Sequence, residues 1–333
     1  MPWGVVSRVA HVATRRVASV EHVVVAEVVR SGFVEGYHWG SAVALDSDGS
    51  VRWSVGTVDE PIFPRSSNKP LQAVGMVRAG LELRGRLLAL ACASHSGERI
   101  HIDGVRDILA DAGLDESALQ TPPGLPVEES VRLAYVRDGG EPAPVVMNCS
   151  GKHAAMLATC VANDWEVATY PDPTHPLQQA ITATFEDLTG EFDPAIGVDG
   201  CGAPVLACSL IGLARAFGRI KQAVPGTAEH AIADAISGSP EHVSGSQRDE
   251  ALLLRAYPGA IAKAGAEACY AVAMPDGTSV ALKIGDGGSR ARPVLMAAIL
   301  RRLGYDHPVL TEIGSQPVLG GGQRVGHVRA VAP

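Results

Sequence analysis

Strand patterns lie at the two ends of this chain and helical patterns fill the space between, and that distribution limits the folds open to it. Residues 22–30 are a β-branched run of the kind that suits a pleated surface. Residues 39–46 and 50–56 flank Ser47-Asp48-Gly49, a turn signal, and predict a hairpin. A second hairpin is predicted from 268–274 and 279–284 around Pro275-Asp276-Gly277, and a last strand near 324–331. Leu71, Val74, Val77 and Leu81 recur at helical spacing, and Ile102, Val105, Ile108 and Leu109 mark a helix stopped at Gly113. Further helices are predicted at about 154–161, 176–188, from the 199–204 loop to Phe217, 228–236, 247–256 and 293–303. Leu87 to Cys92 reads only as a buried segment. The expectation is one α/β unit over residues 22–333, with a mostly antiparallel sheet built from both ends. Its sheet lobe comes from about 22–65 and 264–333, and its helical lobe from about 66–263.

A net charge of −8 argues against a nucleic-acid partner. The longest apolar runs, such as Leu87–Ala93 and Val294–Leu300, fall far short of the ~20 residues of a membrane span. Cys92, Cys149, Cys160, Cys201, Cys208 and Cys269 are scattered and predict reduced, mostly buried thiols rather than a disulfide framework. Residues 1–21 lack a compact apolar signal-peptide core and are expected to be a flexible extension, so a cytoplasmic protein follows.

Chemistry concentrates in four polar loops: 65–70, 94–98, 147–153 and 199–204. In Arg65-Ser66-Ser67-Asn68-Lys69-Pro70, a helix opening at Ser66 would put Lys69 one turn on, on the same face. A serine needs a base to attack, and a lysine serves if burial or positive charge lowers its pKa. Ser66 and Lys69 are therefore a candidate nucleophile–base unit. The bland alternative is a capping serine with a solvated lysine.

Arg-Ser-Ser-x-Lys-Pro, Cys-Ala-Ser-His-Ser at 92–96, Asn-Cys-Ser-Gly-Lys-His at 148–153, Asp-Gly-Cys at 199–201 and Ala-Lys-Ala-Gly-Ala at 262–266 occur in an order that resembles the rhizobial-type L-asparaginase (asparaginase II) family. The resemblance runs from about residue 25 to the C-terminal region. It implies a fold similar to serine β-lactamases and glutaminases. It implies two serine–lysine pairs, Ser66 with Lys69 and Ser94 with Lys263. It also implies a zinc ion on Cys149, Lys152 and Cys201, not strictly needed for the chemistry. Arg65 would pair with a substrate carboxylate, Asp199 would take an ammonium, and His153 would orient substrate or a metal-bound water. L-asparagine is the implied substrate and a homodimer the implied assembly.

Each assignment has a plainer counterpart: Ser94 as an N-cap, Lys263 as a surface lysine, Arg65 in a structural ion pair, Asp199 capping a turn. Cys149, Lys152 and Cys201 would then be buried polar residues holding no metal. Of the two serines, Ser66 is favoured as nucleophile because local helix geometry fixes its base. A glutaminase-like or β-lactamase-like hydrolase is the competing activity, and Lys283-Ile284-Gly285 resembles the Lys-Thr-Gly of penicillin-recognising enzymes. An inactive amino-acid-binding or metal-binding protein is the third reading.

Overall fold

The computed structural model describes residues 20–331. Nearly all of the expected N-terminal extension therefore lies outside the described residues. The chain opens with β1 (Val23–Arg30), β2 (Phe33–Leu45) and β3 (Val51–Val55). A 3-10 turn at Arg65–Asn68 runs into helix α1 (Lys69–Arg78). Then come α2 (Gly85–Ala91), α3 (Arg99–Asp111), α4 (Glu129–Arg137), α5 (Ser150–Ala162) and α6 (Pro176–Thr189). A small hairpin of β4 (Ile196–Val198) and β5 (Pro204–Leu206) precedes α7 (Leu210–Gln222), α8 (Ala228–Gly238), α9 (Pro240–Val243) and α10 (Asp249–Ala256). The chain returns through β6 (Ile261–Ala264), β7 (Cys269–Ala273) and β8 (Ser279–Ile284), then α11 (Ala291–Arg302), α12 (Val309–Ile313), β9 (Gln316–Gly320) and β10 (Gln323–Ala330).

The strands of both ends form one sheet in the order β6-β7-β8-β2-β1-β10-β9, with β3 on the free part of β2. Its ladders are antiparallel, and β10 pairs with β1 from Ala26↔Ala330 to Arg30↔Gly326. β6, β7 and nearly all of β8 are buried, so they read as continuous apolar runs rather than alternating ones. Helix α7 lies against β2, β7 and β8, and α11 against β1, β8 and β10. The expected mostly antiparallel sheet with a helical middle is what the chain forms.

Several elements differ from the sequence reading. β2 begins at Phe33 rather than 39, because its first half alternates exposed and partly buried positions and pairs with β1. Leu87–Ala91 lies in a true helix, α2, with Cys92 as its C-cap. The 199–204 loop does not open a helix: Asp199 N–H donates to the Ala203 carbonyl (2.9 Å), closing the β4–β5 hairpin. α4, α12, β6 and β9 carry no strong periodicity and were not anticipated. β6 places Lys263 on a sheet strand.

α1 is the pivot of the helical region. Every residue from Lys69 to Met76 is buried, so this helix is covered on all sides rather than amphipathic. It packs against α5, α6 and α8. The other close contact is between α5 and the end of α2. A methyl group on Gly151 would stand 2.6 Å from the Leu90 carbonyl oxygen, so only glycine allows the two backbones to meet. That contact sets the first turn of α5 beside the loop leaving α2. Gly151→Ala is accordingly expected to cost about 1–3 kcal/mol by forcing the helices apart. Chemical denaturation measures this, and an unchanged midpoint would show that the contact is not tight.

Candidate active site

The loop after α2 carries Ser94. Its backbone is held on both sides: Ser94 N–H donates to the Val243 carbonyl (3.2 Å), His95 N–H to that of Asn148 (3.0 Å) and Ser96 N–H to that of Ser244 (2.7 Å). Glu98 secures the same junction, accepting from Ser96 Oγ (2.6 Å) and from the Ser246 amide (2.8 Å). Ser94 is thus not a helix cap; that position before α3 belongs to Glu98. His95 turns away from Ser94, its Nε2 sitting 2.8 Å from Ser150 Oγ.

Lys69 is 1% exposed, which excludes the solvated alternative. Its Nζ donates to the Ala93 carbonyl (2.5 Å) and to Ser94 Oγ (2.9 Å), and lies 3.1 Å from Cys149 Sγ. The expected pairing is therefore altered. The lysine reaches across to Ser94, not back to Ser66, because it is the first residue of a fully covered helix and its side chain runs into the core. Ser66 stands in the 3-10 turn just before it and makes no side-chain hydrogen bond among the described residues. With 8% exposure, its hydroxyl remains reachable.

That turn is strained. Arg65 has φ of +52°, a left-handed conformation that costs a non-glycine residue about 1 kcal/mol or more. Its Nε donates to Asp199 Oδ1 (2.7 Å), and the same oxygen accepts from the Gly200 amide (2.8 Å). Arg65 and Asp199 therefore meet each other, as the ion-pair and turn-capping alternatives describe, and both remain partly exposed.

Lys263 is fully buried, not on the surface. Its Nζ donates to the Ala264 carbonyl (2.7 Å) and lies 3.8 Å from Glu250 Oε1. Burial pushes its pKa down to about 7, against the opposing pull of Glu250. β6 packs on the turn that carries Ser66. At the end of β6 a methyl on Gly265 would fall 2.5 Å from the Pro64 carbonyl oxygen and 2.9 Å from Ser67 Oγ.

Cys149, Lys152 and Cys201 come together although they lie on the mouth of α5 and a hairpin turn. Lys152 Nζ is 3.2 Å from Cys201 Sγ, and all three residues are buried. Hydrogen bonding from Cys149 and then the Lys152 charge hold Cys201 well below the usual thiol range, while Cys149 is pushed up by the same shared bond and by burial. Two sulfurs and an amine nitrogen converging in a buried spot suit zinc, provided the lysine gives up its proton. Among the described residues no group of three or more His, Cys, Asp or Glu side chains is placed to hold a metal, so a three-ligand site here requires Lys152. His153 is fully buried; its Nδ1 sits 2.6 Å from Tyr170 Oη, and burial lowers its pKa to about 4. Cys92, Cys160, Cys208 and Cys269 are buried free thiols, as expected.

Sequence reasoning did not find Tyr170, Glu98 or Glu250. Glu98 sat in the quoted 94–98 loop without a role. Tyr170 and Glu250 carry no local signal, since their partners come from distant segments.

The motif order and this clustering agree with the family comparison. The model of the L-asparaginase II family matches residues 26–330, and the chain belongs to that family. It is therefore an amidohydrolase-family protein. No curated protein matches it. Among solved structures, a β-lactamase from Mycobacterium bovis is 15% identical, with a TM-score of 0.44, covering 80% of this chain and 95% of its own. A Bacillus glutaminase is 10% identical, with a TM-score of 0.44, covering 79% and 90%. These likenesses are distant. No helix among the described residues is long and apolar enough to cross a membrane.

The buried imidazoles beside Ser94 give a stability test. His95 and His101 stack with ring centroids 5.1 Å apart, and burial lowers the pKa of both. Unfolded histidines bind protons below about 6.5 that the folded ones refuse, so this stability is present above that pH and is lost as pH falls. The Tm is expected to drop between pH 7 and 5, and to drop less in the His95→Gln/His101→Gln double variant. Parallel curves would remove these residues from the acid response.

Proposed function

We propose that this chain hydrolyses the side-chain amide of L-asparagine to L-aspartate and ammonia through a serine-bound acyl intermediate. The observation that carries the reading is Lys69, buried and donating to Ser94 Oγ one helical turn beyond Ser66. In the reading offered here the lysines exchange the partners the family resemblance implies. Lys69 acts with Ser94, and Lys263, on the strand packed against the Ser66 turn, serves Ser66.

Ser66 is the nucleophile because its hydroxyl has no protein partner among the described residues and is lightly exposed. Neutral Lys263 takes the hydroxyl proton, and the oxygen attacks the amide carbon. The C–N bond then breaks, and the departing nitrogen takes the proton from the Lys263 ammonium and leaves as ammonia. In the second half a water gives a proton to Lys263, its oxygen adds to the ester carbon, and Ser66 leaves with that proton restored. Ser94, polarised by the Lys69 ammonium, donates to the oxygen that gains charge. Arg65 and Asp199 open their pair to take the α-carboxylate and α-ammonium of the substrate. A zinc ion, where present, would be held by Cys149, Lys152 and Cys201, and would supply a positive charge that holds substrate. A homodimer and a cytoplasmic setting complete the proposal.

Offered L-asparagine, L-glutamine and a chromogenic β-lactam, purified protein is expected to release ammonia from L-asparagine. Turnover of only one of the latter two would replace the reading with the glutaminase-like or β-lactamase-like one. Ser66→Ala should lower kcat by on the order of 10³-fold or more. Lys69→Met and Ser94→Ala should each be severe and the double variant hardly worse, since they act as a unit. Losses that simply multiply would separate Lys69 from Ser94. Protein purified without chelator should carry one zinc, and chelation should raise KM more than it lowers kcat. Absence of stoichiometric metal by elemental analysis would remove zinc from the proposal.

A further inference from the structure

Glu250 is the buried acid that the chemistry above does not use. It lies at the start of α10 with no exposed surface, and neither carboxylate oxygen has a hydrogen-bond partner among the described residues. A buried carboxylate is costly unless it is hydrogen-bonded or closely paired. Its nearest cations are Arg248, whose Nε is 3.5 Å from Oε2, and Lys263, whose Nζ is 3.8 Å from Oε1. A purely structural pair would close to hydrogen-bond distance. Here Lys263 instead donates to the Ala264 carbonyl next to it, so its ammonium and the carboxylate interact through charge alone.

The surroundings make that charge count. Besides Glu250, the charged groups facing Lys263 are Lys69, Arg248 and Arg292, all positive, and the Cys92 thiol lies within their reach. Asp249 faces Glu250 rather than Lys263: Arg292 donates to it at 2.5 Å and stacks over Tyr270, and its carboxyl, pushed up by burial and by the neighbouring Glu250 charge, lies against Glu250. Glu250 is thus the only carboxylate directed to Lys263 among these groups. Without it, burial and three cations would all oppose a proton on this lysine.

We propose that Glu250 is a positioning residue for Lys263: its carboxylate is the counter-ion that lets this lysine keep a proton between accepting it from one oxygen and delivering it to the departing nitrogen. This rests on the reading of Lys263 as the proton carrier given above. Arg248 has the opposite influence. It repels Lys263 directly and draws on the Glu250 charge, so it limits how firmly the proton is held.

The test needs no substrate in its first arm. Lysine amines are isotopically labelled, Lys263 is assigned by its loss in Lys263→Met, and its titration is followed by NMR. In Glu250→Gln the Lys263 midpoint should fall by about one pH unit or more, a tenfold gain in acidity. Glu250→Asp should restore part of the shift. In Arg248→Gln the midpoint should rise, and this partly exposed position keeps the test available where Glu250→Gln does not fold. Opposite signs in the two variants are what a general loosening of the structure would not give. An unmoved Lys263 midpoint, or the same direction in both variants, overturns the role of Glu250. In the second arm, the acid limb of kcat/KM should follow the NMR midpoint to lower pH in Glu250→Gln. A moved midpoint with an unmoved limb overturns the assignment of Lys263 as base, and with it the proposal.

Discussion

Three lysines, Lys69, Lys152 and Lys263, lie inside a core that is otherwise largely apolar, and the fold is arranged around keeping them there. An unpaired ammonium in such a place costs several kcal/mol, so each needs acceptors or opposite charge close by. Each is answered differently. Lys69 has a carbonyl, a hydroxyl and a thiol. Lys152 has the Cys201 sulfur. Lys263 has a carbonyl and a carboxylate that it does not quite reach. The differences give three chemically distinct amines within one connected region, which a single surface lysine motif could not provide.

The supporting structure follows from that demand. Two close backbone approaches depend on glycine, Gly151 of α5 against the end of α2 and Gly265 against the Ser66 turn. Arg65, next to Ser66, is one of the non-glycine residues with positive φ, and its ion pair with Asp199 holds it there. The Ser94 loop is clamped by the 243–246 segment and by Glu98. Rigid placement of the hydroxyls therefore does not depend on the substrate.

The motif residues were readable because each short run combines a reactive side chain with glycine or serine punctuation, and because the order of the runs carries family information. Sheet composition was also legible, since β-branched runs at both ends need partners. Pairing was not. The i, i+3 spacing of Ser66 and Lys69 says that they share a face only when the helix includes both; here the serine belongs to a 3-10 turn and the lysine enters a helix covered on every side. Cys201 was misplaced for a related reason: a polar glycine loop before an apolar run fits a helix start and a hairpin equally well. Glu250 lay beyond reach because its meaning comes from Lys263, on a different element.

The pairing of β1 with β10 has a consequence for synthesis. The strand that seats β1 on one side follows every other described element in the order of synthesis, and β6, with Lys263, comes before it. Helices α1 to α8 can gather early through local contacts, but sheet closure must wait for loop closure across almost the entire chain. A nascent chain that has not yet made β6 holds both serines and Lys69 without Lys263, and one that has not made β10 holds all three lysines with β1 still open on one side.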